Sequence, residues 1–172
     1  AEGDIIRREG NAWLLDRGRA DSLDTSDSLI ETVQSRIRLL DADEARILSC
    51  AACIGREFSL SLLFRLSSLG GDAVVSVIDR AVDYQLLRPF PGERNTYVFF
   101  HDRIKEVLYA GMPPEERKSV HLAIASALES TGGDAQHDEL ARHFLLAGAD
   151  DRFLDHALPA GRNARLKFAY ED

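Results

Sequence analysis

Apolar residues recur along most of the chain at three- and four-residue intervals, the spacing that lays one face of an α-helix on a core. Leu29, Val33, Ile37 and Leu40 form the first stripe, with Ser28 and Glu31 spaced as a capping box at its start. A second helix is predicted from about Ala42, with Ile47, Leu48, Ala51 and Ala52 on one side and Gly55 as its end. Ser59 or Ser61 caps a third, carrying Leu62, Leu63 and Leu66 and stopping at Gly70-Gly71. Asp72 caps a fourth, through Val74, Val75, Ile78, Ala81 and Val82. The period then shortens. Residues 86–90 and 96–100 are β-prone runs joined by Pro91-Gly92-Glu93-Arg94-Asn95, which predicts a hairpin. A smaller hairpin is predicted earlier, where Ile5-Ile6-Arg7-Arg8 and Ala12-Trp13-Leu14-Leu15 flank Glu9-Gly10-Asn11, followed by a polar linker over 16–27.

Helical spacing returns at His101, with Ile104, Val107 and Leu108 inward. Pro114 suits the first turn of the next helix, whose stripe is Val120, Ile124, Ala127 and Leu128 and whose end is Gly132-Gly133. Leu140, Ala141, Phe144 and Leu145 mark another helix ending near Gly148, and one or two more follow from Phe153, with Pro159 as a break or kink. Helices closed by a hairpin are the order of elements in a winged helix. The fold class expected is therefore mainly α, a winged-helix domain with one hairpin wing followed by α-solenoid-like antiparallel helices. The domains expected are 1–27, hairpin and linker; 28–111, winged helix; and 112–172, tetratricopeptide-like helices cut short.

Composition narrows the function classes. With 21 Lys and Arg against 29 Asp and Glu, the 172-residue chain has a formal charge of −8, so its surface as a whole repels nucleic acid. No apolar run approaches the roughly 20 residues that span a bilayer, and no signal peptide is visible, which points to a cytoplasmic protein without membrane contact. The chain starts at Ala1 and stops at Asp172 within a helical pattern, as a piece of a longer protein would. Cys50-Ala51-Ala52-Cys53 has redox-motif spacing, yet it lies inside an apolar helix without a βαβ unit or a second pair for zinc, so buried structural cysteine is expected. Of the five histidines, His121 falls beside an apolar stripe as a packed edge residue, and His137, His143 and His156 are expected on the surface. No two share a helical face at metal-ligand spacing, so no metal site is expected. A phosphate-binding G-x-x-x-x-G-K-[ST] loop is absent, as is a nucleophile elbow, so no enzyme activity is expected of this chain.

The most specific stretch is Tyr97-Val98-Phe99-Phe100-His101-Asp102-Arg103-Ile104-Lys105-Glu106-Val107-Leu108-Tyr109. A strand running directly into His-Asp and an amphipathic helix resembles the end of the winged-helix domain in STAND proteins, signal-transduction ATPases with numerous domains. Phe100 stands where that motif commonly has methionine. Arg36, Leu40, Leu48, Ala51, Ala52, Gly55 and Phe58 also resemble the bacterial branch of the class. So do Pro114, Arg117, His121, Ala125 and Leu128-Glu129, and, further on, Leu140-Ala141-Arg142-His143-Phe144 with Ala147-Gly148.

The resemblance implies a regulatory module of a nucleotide switch that folds over ADP held by a preceding P-loop domain of the same chain. His101 would then sense the β-phosphate and Asp102 would orient the local backbone, with ATP or ADP and magnesium bound only in the intact parent. Partners implied are other protomers or a signalling protein, through the helical region. Two other readings stand beside it. One is a winged-helix DNA-binding domain, which needs a basic recognition helix where this chain offers Asp72, Asp79 and Asp83 against Arg80. The other is a helical-repeat scaffold confined to about 112–172.

Overall fold

The computed structural model describes the backbone of residues 6–9, 12–15, 25–131 and 137–169, and the side chains of 31–131 and 137–161. The first hairpin pairs β1 (Ile6–Glu9) with β2 (Ala12–Leu15), Ile6 opposite Leu15. The linker expected over 16–27 lies outside the described residues up to 24. From Thr25 the chain is already helical, in α1 (Thr25–Ile37), which places Ser28 in the first turn rather than at the cap.

The centre of the molecule is α2 (Ala42–Ile54). Its start is fixed by Asp41, whose side chain accepts from the Glu44 amide at 2.9 Å while the Glu44 carboxylate accepts from the Asp41 amide at 2.9 Å. Two amides without intrahelical partners are thus satisfied by one reciprocal pair. Glu44 is itself buried, and its second role is a 2.7 Å ion pair with Arg80 of a later helix. Leu48, Ala51 and Cys53 of α2 are almost fully enclosed, and small residues there let neighbouring helices approach closely.

After Gly55 comes a strand the periodicity did not predict, β3 (Glu57–Ser59). Ser59 then caps α3 (Leu60–Leu66), which ends at Ser67, short of the expected Gly70-Gly71. The next helix, α4 (Gly71–Asp83), is capped by the Gly70 backbone without a side-chain bond, and Asp72 sits in its first turn instead. It closes in a Schellman turn, with Gln85 at φ 54° and the Leu86 and Gln85 amides bonding back to Ala81 and Val82. The hairpin follows as β4 (Leu87–Pro89) and β5 (Thr96–Phe99). All three strands are antiparallel in the order β3-β5-β4. Helix, strand, two helices and a hairpin, with the first strand against the last, make a winged helix. Phe58, Leu86, Leu87 and Phe99 pack the sheet onto Ile78, Leu63 and the apolar face of α2.

Four helices follow, the first packed on the winged helix and the last three forming an antiparallel array. Helix α5 (Asp102–Gly111) packs on α1 and α2, and α6 (Pro114–Glu129) begins, as expected, with proline in its first turn. The segment 132–136, which includes the expected Gly132-Gly133 end, lies outside the described residues; α6 itself ends at Glu129. Helix α7 (His137–Ala147) and helix α8 (Asp150–Ala169) fold back antiparallel around Gly148, whose φ of +72° suits a residue without a Cβ. Pro159 does not break α8, and Leu145 is exposed rather than inward. Pro159 lacks the amide that would bond the Asp155 carbonyl, and Asp155 is exposed.

Helix α6 belongs to two cores at once. Ile124 closes the main core with α2 and α3, while Ala125 joins Leu140 and Phe144 in a smaller one between α6, α7 and α8. Among the described residues no helix is long and apolar enough to cross a membrane.

Candidate functional site

His101 stands at the junction of β5 and α5. Its backbone is extended, at φ −145° and ψ 142°, and its Nδ1 accepts from the Arg103 amide at 3.1 Å, so the imidazole caps the helix. Accepting at Nδ1 puts the ring's N–H on Nε2. The side chain is exposed, as is the neighbouring Phe100, at 52% of its surface. Capping therefore does not consume the residue. It fixes the tautomer and presents an Nε2 donor outward, next to the positive end of α5.

Asp102 ion-pairs with Arg56 at 3.3 Å. Arg56 lies in the turn between α2 and β3, and its carbonyl accepts from the Phe99 amide at 3.1 Å. The pair ties the corner of α2 to the start of α5, next to His101. Arg103 is matched by Glu106 at 2.8 Å, one turn further along α5. The arrangement offers one exposed donor and a flanking aromatic surface; it does not build a closed pocket around a ligand.

Two histidine pairs form elsewhere, and neither was expected. His121 of α6 and His143 of α7 are buried, with their Nδ1 atoms 2.9 Å apart. His121 Nε2 lies 3.0 Å from the Tyr109 hydroxyl, and His143 Nε2 lies 2.8 Å from an Arg142 guanidinium nitrogen. Arginine only donates, so His143 Nε2 accepts and its proton sits on Nδ1. That Nδ1–H donates to His121 Nδ1, and His121 Nε2–H in turn donates to Tyr109. Every tautomer in the relay follows from its arginine end. The same Arg142 nitrogen donates to the Ile54 carbonyl at the end of α2, so the relay fastens the array to the winged helix. Burial, then the nearby Arg142 and Arg117 cations, push the His121 pKa down to about 4; burial, Arg142 and His121 push His143 to about 3. Both rings are neutral at physiological pH.

The second pair is half-buried, with His137 Nδ1 of α7 and His156 Nδ1 of α8 3.0 Å apart. Glu129 approaches the other face of His156, at Nε2, and is held by Arg152 at 2.5 and 2.6 Å. Hydrogen bonds from Arg152 keep the Glu129 carboxyl below the usual carboxylate range. Because Glu129 and His137 address opposite nitrogens, the three do not converge on a point. Among the described residues no group of three candidate ligands can hold a metal.

Surface placement of His137, His143 and His156 is thus corrected: His143 is fully buried and the other two partly so. A signal existed for His143, which stands three residues after Leu140 on that helix's apolar stripe, but the pairing partner, 22 residues away on another helix, left no local trace. Cys53 is buried as expected, whereas Cys50 is only partly buried. Both thiols are free, Cys53 is buried 3.9 Å from the Met112 sulfur, and burial pushes its pKa up to about 12. Burial raises Cys50 as well. Both shifts disfavour the thiolate that redox chemistry uses.

Compared with protein-family models, curated proteins and solved structures, the chain matches none.

Proposed function

We propose that the chain is the regulatory module of a cytoplasmic nucleotide switch of the STAND type, closing over ADP held by a preceding P-loop domain and catalysing nothing itself. The observation that carries this reading is His101: an exposed imidazole whose tautomer is fixed with a donor outward, beside an exposed Phe100 and at a helix N-terminus. A phosphate oxygen needs such a donor, and a docking domain needs such a surface. The resemblance of residues 97–109 to the end of the STAND winged helix supports the same assignment. Asp102 takes the positioning role, by holding Arg56 against the start of α5. Magnesium and the main phosphate contacts come from the P-loop domain, since one histidine does not hold a nucleotide alone. The array offers the surface for other protomers or a signalling protein.

The electrostatics of α4 weigh against DNA binding. Asp72, Asp79 and Asp83 are exposed along it, and Arg80, its one cation, is committed to Glu44. Such a face repels phosphate rather than neutralising it.

The test is the basal output of the full-length protein without its inducer. His101→Ala removes a contact made only in the closed state, so output rises about tenfold or more. Wild-type output from a folded mutant overturns the assignment. Tight, salt-sensitive DNA binding by the chain would favour the DNA-binding reading instead.

A further inference from the structure

The described residues contain a cavity that the switch reading does not use. It opens where the end of α3 and the turn after it meet α2 and α6, and it holds about 240 Å³. Its apolar lining includes Ile47, Leu63, Leu66, Leu69 and Val120, with Leu63 fully buried and Leu69 only partly covered, and serines of α6 and of the turn after α3 stand among them. The charged groups at its mouth are Asp43, Arg46 and Glu116. Arg46 Nε pairs with Glu116 at 3.4 Å, which leaves Asp43 without a cation at the mouth. The rim therefore carries a net negative charge over an apolar floor.

We infer that this cavity is a binding site for a compact aromatic molecule bearing a single ammonium group. Size and wall chemistry set the apolar part: an apolar cavity of about 150 Å³ in another protein takes up benzene, so one of this volume has room for a ring with a short side chain. Charge sets the polar part. Two carboxylates facing one guanidinium attract a cation and repel an anion. The cavity is walled by the winged helix on one side and by the array's first helix on the other, so an occupant bridges the two. This site is separate from His101, and its failure leaves the nucleotide reading untouched.

The probes are three molecules of one shape: phenethylamine, phenethyl alcohol and phenylacetate, titrated into the full chain and followed by backbone amide NMR. The amine binds with a dissociation constant on the order of 1 mM, and its shifts centre on Ile47, Leu66 and Val120. The alcohol binds about two- to fivefold more weakly, the gain expected of one exposed ion pair, and phenylacetate more weakly still. Glu116→Gln brings amine and alcohol toward parity. Ala123→Trp, at an exposed position on the cavity wall, fills the space and abolishes all three while the remaining spectrum stays folded. Shifts scattered away from these residues, no shift at 10-fold higher concentration, or phenylacetate binding as well as the amine would overturn the assignment. So would a concentration-dependent dimer dissolved by Ala123→Trp, which would make a second copy the occupant.

Discussion

The buried relay of Tyr109, His121, His143 and Arg142 shows how single hydrogen positions decide what a packed interface tolerates. Each ring donates once and accepts once, and an added proton puts two N–H groups face to face or an N–H against a guanidinium. Their folded pKa values, about 4 and about 3, lie below the ordinary 6.5, so the unfolded chain binds more protons in the interval between. The linkage has a definite sign: stability is complete above about pH 6.5 and is lost as acid carries the pH down toward 4. His121 alone accounts for on the order of 3 kcal/mol of that loss. Urea unfolding between pH 7.5 and 4.5 checks it, and a flat profile would mean that the relay does not exist as described. His143→Phe removes a titrating ring but orphans the nitrogen of its partner, so it should weaken the fold at pH 7.5 by about 1–3 kcal/mol while shallowing the acid slope.

At the scale of elements, two helix ends carry separable predictions. Asp41→Ala deletes one half of the α2 capping box and should cost about 1 kcal/mol in thermal or chemical unfolding. Gln85 is a non-glycine residue at φ 54°, so Gln85→Gly relieves left-handed strain and should stabilise by about 0.5–1 kcal/mol. A destabilised Gln85→Gly would show that its side chain makes contacts that outweigh the backbone strain. These elements also show what could be read from the chain. The helices announced themselves because their stripes are local, and Gly55, Ser59, Pro114 and Gly148 punctuate them with chemistry that acts within one turn. The strand β3 did not. Its three residues alternate too briefly to show a period, and its partner β5 lies about forty positions away, so only the tertiary pairing of Phe58 with Tyr97 makes it a strand. His101 was legible only as the residue that opens a helix after a strand. That capping also fixes its tautomer needed coordinates, as did the facing of His121 on His143.

At the scale of the whole molecule, α6 makes the winged helix and the array one body. Ile124 and Ala125, adjacent in sequence, face different cores, and Arg142 fastens α7 to the end of α2. Heat should therefore unfold residues 31–161 in a single transition, and Ile124→Ala should lower that transition by about 2–5 kcal/mol without splitting it. Two separated transitions in calorimetry would contradict the shared helix. The central claim is that His101 recognises ADP in the closed form. Its most direct measurement is the affinity of the P-loop-containing parent for ADP and for ATP, in wild type and His101→Ala. The account predicts that the mutant binds ADP about tenfold or more weakly, with ATP affinity nearly unchanged, because the contact exists only in the ADP-bound closed state. Equal loss for both nucleotides, or no loss for ADP in a folded mutant, would contradict it.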